Sequence, residues 1–167
     1  FNSGGQNMWQ FRRNTTTYLG KGDLTSQITR NHQIKIGLEG RQHRLRMTEF
    51  EVIPESVERI APLSSVQNNT YEHQPLELSG YIQDKMEFED LVINAGIRMD
   101  YFNPDGEVPI DFSRPGQSLR HKAKSSKQLS PRLGLAYPIS ATGVVHASYG
   151  HFFQTPSFFY LYANPEF

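Results

Sequence analysis

Strict two-residue alternation from Leu91 to Tyr101 is the feature of this sequence that most restricts its fold. Leu91, Ile93, Ala95, Ile97, Met99 and Tyr101 fall on one side of an extended chain, and Asn94, Gly96, Arg98 and Asp100 on the other. Successive side chains of a strand point to opposite faces, so this segment has one apolar and one polar surface. A helix would scatter the charges around its circumference. The pattern recurs. Ile34, Ile36 and Leu38 oppose Lys35, Gly37 and Glu39, and Leu76, Leu78, Gly80 and Ile82 oppose Glu77, Ser79, Tyr81 and Gln83. Further on, Leu133, Leu135 and Tyr137 oppose Arg132, Gly134 and Ala136, while Val145, Ala147 and Tyr149 oppose His146, Ser148 and Gly150. The first segment is less regular, with Leu24, Ser26 and Ile28 against Thr25 and Gln27. This periodicity predicts six strands, over 8–28, 33–50, 75–89, 91–102, 128–138 and 144–154.

The connections narrow the choice further. Thr29-Arg30-Asn31-His32, Glu89-Asp90 and Ser140-Ala141-Thr142-Gly143 are short polar turns. Between them lie two long irregular stretches, 51–74 and 103–127, with Pro54, Pro62, Pro104, Pro109 and Pro115. Short and long connections alternate without exception. A soluble sandwich has water at both ends and no reason to obey that rule. A membrane barrel has short turns on the periplasmic side and long loops outside. The expected fold is therefore all-β, an antiparallel up-and-down transmembrane barrel wall with external loops at 51–74 and 103–127. Closed bacterial barrels start at about eight strands, so six strands are expected to be part of a larger wall. The first two predicted strands also exceed the roughly 9–11 residues that cross a bilayer.

Composition agrees. The mean hydropathy is −0.58 and the hydrophobic fraction 37%, low for a globular core, yet aromatic residues make up 12%. A wall that alternates apolar with polar residues and carries wet loops has that balance. Seventeen basic residues offset seventeen acidic ones, which leaves no electrostatic footprint for nucleic acid. Cysteine is absent, and with it disulfide frameworks and thiolate metal sites. The six histidines, His32, His43, His73, His121, His146 and His151, show no ligand spacing on a common face, so no metal is expected.

Three runs carry a family resemblance. They are Tyr18-Leu19-Gly20-Lys21-Gly22-Asp23-Leu24 continuing to His32-Gln33-Ile34-Lys35-Ile36-Gly37-Leu38-Glu39, then Gly80-Tyr81-Ile82-Gln83-Asp84-Lys85 with Ile97-Arg98-Met99-Asp100-Tyr101-Phe102-Asn103-Pro104, and Leu129-Ser130-Pro131-Arg132-Leu133-Gly134-Leu135-Ala136-Tyr137-Pro138 with Tyr149-Gly150-His151-Phe152-Phe153-Gln154-Thr155-Pro156. In this order they resemble the barrel of TonB-dependent outer-membrane receptors. The resemblance implies a 22-stranded barrel filled by an N-terminal plug, importing a scarce ligand with energy delivered through TonB. It also implies the bacterial outer membrane as the location and no cofactor. The partners it implies are membrane lipid, the plug, the remaining strands, an external ligand, and TonB reached through an N-terminal part outside these residues.

Two roles fit the polar face, formed by Lys35, Glu39, Gln83, Lys85, Asn94, Arg98, Asp100, Arg132 and His146. These lumen-facing residues are either solvated and mutually paired wall positions or contacts for the plug and a substrate path. Arg98 and Asp100 are expected to pair with neighbouring strands. Trp9, Phe11, Tyr101, Phe102, Tyr149, Phe152 and Phe153 are expected to form interfacial girdles. In the last segment, Phe158, Phe159, Tyr160 and Tyr162 are candidates for ligand contact from outside. Ser148 beside His146 is the nearest approach to a nucleophile with its base, but no Gly-x-Ser-x-Gly elbow surrounds it, so no enzyme is expected. A soluble β-sandwich or adhesin-type module is the competing class, and it would need a second sheet over the Ile93-Ala95-Ile97-Met99 face.

Overall fold

The alternation becomes one curled antiparallel sheet. The computed structural model describes residues 8–52, 68–111, 113–114, 117–140 and 142–162. Its strands are β1 (Met8–Gln27), β2 (His32–Val52), β3 (Asn68–His73), β4 (Leu76–Phe88), β5 (Leu91–Asn103), β6 (Glu107–Pro109), β7 (Arg120–Lys122), β8 (Ser126–Ser140) and β9 (Gly143–Gly150). One short helix, α1 (Phe158–Tyr162), follows. The main sheet has the open order β1-β2-β4-β5-β8-β9, with β3 also on β2, while β6 and β7 form a separate two-stranded hairpin. Every neighbouring pair is antiparallel.

Both long connections hold structure that the periodicity does not announce. The return strand after β2 starts at Asn68, seven residues before the predicted 75, because β3 pairs with the far half of β2 from Leu45↔His73 to Phe50↔Asn68. Gln74-Pro75 then interrupts it before β4 pairs with the near half of β2. Proline has no N–H to give the ladder and breaks it at this point. Its carbonyl still accepts from His43 N–H at 3.0 Å, which keeps the two pieces in line. The second connection folds back as β6–β7, with Glu107↔Lys122 and Pro109↔Arg120 in register.

Register sorts every side chain onto a face. The row Ile36↔Ile82↔Ile97↔Pro131 lies on the outer surface, and the row Lys35↔Gln83↔Gly96↔Arg132↔Gly150 on the inner. Large apolar side chains are exposed along the outer face, among them Leu38, Leu78, Met99, Leu129, Leu135 and Tyr149. Among the described residues, the only second sheet is the small β6–β7 hairpin, so the sandwich alternative has nothing to pack on this face. A continuous apolar band that meets no protein suits hydrocarbon.

The small core lies inside, at the long-connection end. Leu45, Met47, Tyr71 and Tyr162 are buried together, with Phe158 and Leu161 packed against them. To reach this spot the chain leaves β9 at one edge of the sheet and crosses the concavity to β2 and β3. Four interstrand steps span about 19 Å, and the seven residues between Gly150 and Phe158 reach about 23 Å. The strap is just long enough.

Candidate functional site

The inner wall is a ladder of paired charges. Near the short turns, Gly37 leaves room for the Tyr81 ring, whose hydroxyl donates to Asp23 Oδ1 at 2.6 Å. A Cβ at Gly37 would collide with both groups. Lys35 Nζ lies 5.9 Å from the centre of the same ring, and Lys21 pairs with Asp23 at 3.4 Å. Lys85 pairs with Glu87 at 2.5 Å. Midway, Arg41 meets Glu39 at 2.6 Å and Glu77 at 3.5 Å. Arg98 is held by Asp100 at 2.8 Å, so this pair forms within one strand and not between strands. Phe153, Gln154 and Thr155 of the strap pass over these groups and enclose a cavity of about 320 Å³.

All nine residues expected on the lumen side share the inner face: Lys35 and Glu39 on β2, Gln83 and Lys85 on β4, Asn94, Arg98 and Asp100 on β5, Arg132 on β8 and His146 on β9. Arg132 sits 5.5 Å from the Phe152 ring. His146 and Ser148 are exposed two positions apart on β9. Among the described residues, no three His, Asp or Glu side chains gather as metal ligands.

The girdle expectation divides. Tyr101 and Tyr149 lie on the outer face, but Phe102 and Phe11 lie on the inner one, and Phe102 is buried. Adjacent residues on a strand cannot share a face, so Phe102 leaves the girdle when Tyr101 joins it. Phe152 and Phe153 follow β9 on the strap. The side chain of Trp9 lies outside the described residues.

At the long-connection end the inner face turns aromatic. His43 packs its ring on Phe158 at 4.8 Å, and its Nδ1 lies 3.0 Å from Thr17 Oγ1. Tyr162 stacks on His73 at 4.4 Å and donates its hydroxyl to the Pro104 carbonyl. Burial first, then the nearby Asp105 carboxylate and Tyr71, pushes the Tyr162 phenol well above its ordinary value. Burial also raises Tyr71, against the pull of Arg13. Of the four aromatics proposed for ligand contact, Phe158 and Tyr162 thus anchor α1 to the wall. Phe159 lies against the Arg13 guanidinium of β1, 5.8 Å from its ring centre, and is 46% exposed, while Tyr160 is 79% exposed. Beside them, a cleft of about 720 Å³ opens between β3, the β6–β7 hairpin and Tyr162.

Sequence reasoning missed one group. Arg44 and Arg46 lie on the outer face, and Glu72 of β3 bridges them at 2.9 and 2.8 Å. The Arg46 hydrogen bond, then that of Arg44, holds the Glu72 carboxyl below the usual carboxylate range. Their even parity with Ile36 and Leu38 was the available signal.

An antiparallel wall with an apolar exterior, a polar interior and short turns at one end is the wall of a transmembrane β-barrel. The chain belongs to the TonB-dependent receptor family: the family described as TonB dependent receptor-like, beta-barrel, matches residues 1–167. No curated protein and no solved structure matches the chain. In general, the family implies an outer-membrane receptor or transporter that works with TonB, a plug and a ligand, and not an enzyme.

Proposed function

We propose that this chain forms part of the wall of a receptor in the bacterial outer membrane that captures an external ligand and imports it with energy from TonB. The observation that carries this reading is the division of one six-strand register into an exterior whose middle rows are apolar and a charged, largely self-paired interior. The exterior fixes the chain in lipid. Inside, Lys35, Glu39, Gln83, Lys85, Asn94, Arg98, Asp100, Arg132 and His146 face the plug and the passage beside it. Paired charges suit that task, because they present hydrogen-bonding groups without a large net field that would trap a charged solute. At the external end, the exposed Phe159 and Tyr160 and the two long connections make first contact with ligand.

The test uses cells that carry the full-length receptor. Fractionation, with an antibody against 103–127, should place a protein several times larger than 19.1 kDa in the outer membrane. Solutes lost from a defined medium are then compared between wild-type cells, cells lacking the receptor and cells lacking TonB. At least one solute should be taken up only when both are present, and Phe159→Ala/Tyr160→Ala should slow that uptake. Uptake indifferent to TonB contradicts the import reading. A soluble protein contradicts the membrane reading.

A further inference from the structure

We infer that His43 is an acid-operated latch: its neutral ring holds α1 and the strap against the inner wall, and its protonation lets them go. The latch governs the ligand contacts proposed above and rests on that reading. His43 is 8% exposed and lies on β2 about 10 Å beyond Gly40, outside the apolar band. Three elements close over it. Thr17 of β1 puts Oγ1 3.0 Å from Nδ1, and Phe158 of α1 sets its ring centre 4.8 Å from that of the imidazole. Glu77 of β4 places Oε1 3.7 Å from Nε2. Among the described residues, the buried Nε2 has no hydrogen-bond partner. Just before α1, Phe153, Gln154 and Thr155 of the strap cover Glu39, Arg41 and Glu77, so the strap and α1 rest on neighbouring parts of one wall.

This enclosure accepts a neutral ring and resists a charged one. Protonation makes both ring nitrogens donors. Thr17 accepts from Nδ1, but Nε2 then carries an N–H with no acceptor in reach, since 3.7 Å is too long for a hydrogen bond. Arg41 already draws on the Glu77 carboxylate at 3.5 Å while it pairs with Glu39 at 2.6 Å. From above, α1 offers no counter-charge, because Phe158-Phe159-Tyr160-Leu161-Tyr162 contains none. Burial therefore outweighs Glu77, Arg41 adds repulsion, and His43 titrates below its ordinary value. Once released, the ring returns to about 6.5. The released state thus binds the proton more tightly. Docking is complete above about pH 6.5 and weakens as the pH falls from there through the lowered docked value. A charged ring finds relief by turning toward Glu77 or water, and either turn breaks its packing on Phe158. His73, the other imidazole against α1, stacks on Tyr162 at 4.4 Å. Its Nδ1 lies 2.7 Å from the Asp105 carbonyl, which only accepts, so both protonation states can supply that N–H. Release carries Phe159 and Tyr160 away from the mouth and uncovers the cavity of about 320 Å³ beneath the strap.

The test is the mobility of a nitroxide at Tyr160→Cys, an exposed position on α1, in full-length receptor in lipid vesicles. A separate label at Leu129→Cys, on the outer face, reports on the wall itself. A free imidazole is protonated about 30 to 1 at about pH 5, so docking should weaken by up to about 30-fold between about pH 7.5 and about pH 5. The mobile component at 160 should rise at least about threefold over that range, and the label at 129 should not change. His43→Gln and His43→Phe, which cannot take up the proton, should flatten the rise. The phenylalanine keeps a ring against Phe158, so it decides the matter if the glutamine variant does not assemble. Mobility at 160 that ignores acid, or falls as a closed ion pair with Glu77 would make it, overturns the inference. So does a rise that survives in both variants, which would place the switch elsewhere, His73 included, or a rise shared by the label at 129. Solute uptake by cells is read separately. A receptor that imports its solute through TonB with an acid-insensitive α1 refutes only the latch, and an acid-released α1 on a receptor that imports nothing refutes only the import.

Discussion

Replacing Ile97 by arginine separates the two faces of the wall by energy. Ile97 lies on the outer face in the row Ile36↔Ile82↔Ile97↔Pro131 and is 42% exposed. It is six residues from Leu91, where β5 leaves the short turn. Those residues rise about 20 Å along the strand, and a tilt of about 40° leaves about 15 Å along the membrane normal, close to the midplane of the apolar band. An arginine there costs about 2–4 kcal/mol, or about 30- to 1000-fold in the folding equilibrium. Asn94→Arg adds the same charge to the same strand, but on the inner face, and should stay within about 0.5 kcal/mol. Tyr101→Arg, on the outer face near the band's edge, should cost about 0–1 kcal/mol. Urea unfolding of the full-length receptor in lipid vesicles, followed by loss of the compact form on unboiled gels, gives the three midpoints. Equal losses for Ile97→Arg and Asn94→Arg would refute the face assignment. A larger loss at Tyr101 than at Ile97 would refute the depth.

Two further perturbations act inside. Gly37→Ala drives a methyl group into the Tyr81 ring and the Asp23 carboxylate, and over-packing of this kind costs about 1–3 kcal/mol. A lower urea midpoint for Gly37→Ala than for Gly134→Ala, whose Cβ would find 3.7 Å of clearance, is the check. Docking of α1 should weaken in alkali. The folded Tyr162 phenol titrates above its unfolded value of 10.0, so its stabilising contact is complete below about pH 10 and declines as the pH rises further. Protease cleavage near α1 should speed up over that range, and Tyr162→Phe should flatten the rise. An unchanged pH response in Tyr162→Phe would contradict the assignment.

Alternation made the faces legible because its period is a property of the extended backbone and needs no partner strand. The face of Ile93, Ile97 and Met99, and that of Arg98 and Asp100, followed from Leu91–Tyr101 alone. What stayed hidden depends on contacts distant in sequence. Strand β3 carries Thr70, Tyr71, Glu72 and His73, a mixed run that becomes a strand only because the far half of β2 offers it an edge. Near Phe158–Tyr162, aromatic content was visible, but not which rings face inward. That is settled by Tyr71 and His73, more than eighty residues earlier. The cradle of Gly37, Tyr81 and Asp23 likewise draws one residue from each of three strands. Arg44 and Arg46 share the parity of Ile36 and Leu38, and only the pairing of this half of β2 with β3 brings Glu72 onto them.

The central claim is that one face of this sheet meets lipid and the other a polar interior. Nitroxide labels placed singly at cysteines introduced from Leu91 to Phe102, in full-length receptor in lipid vesicles, test it most directly. Oxygen, which concentrates in hydrocarbon, should relax labels at 93, 95, 97 and 99, and a water-soluble nickel chelate those at 94, 96, 98 and 100. A two-residue oscillation with the two reagents out of phase is the predicted result. Uniform access by the chelate, or oxygen maxima at the even positions, would contradict the account.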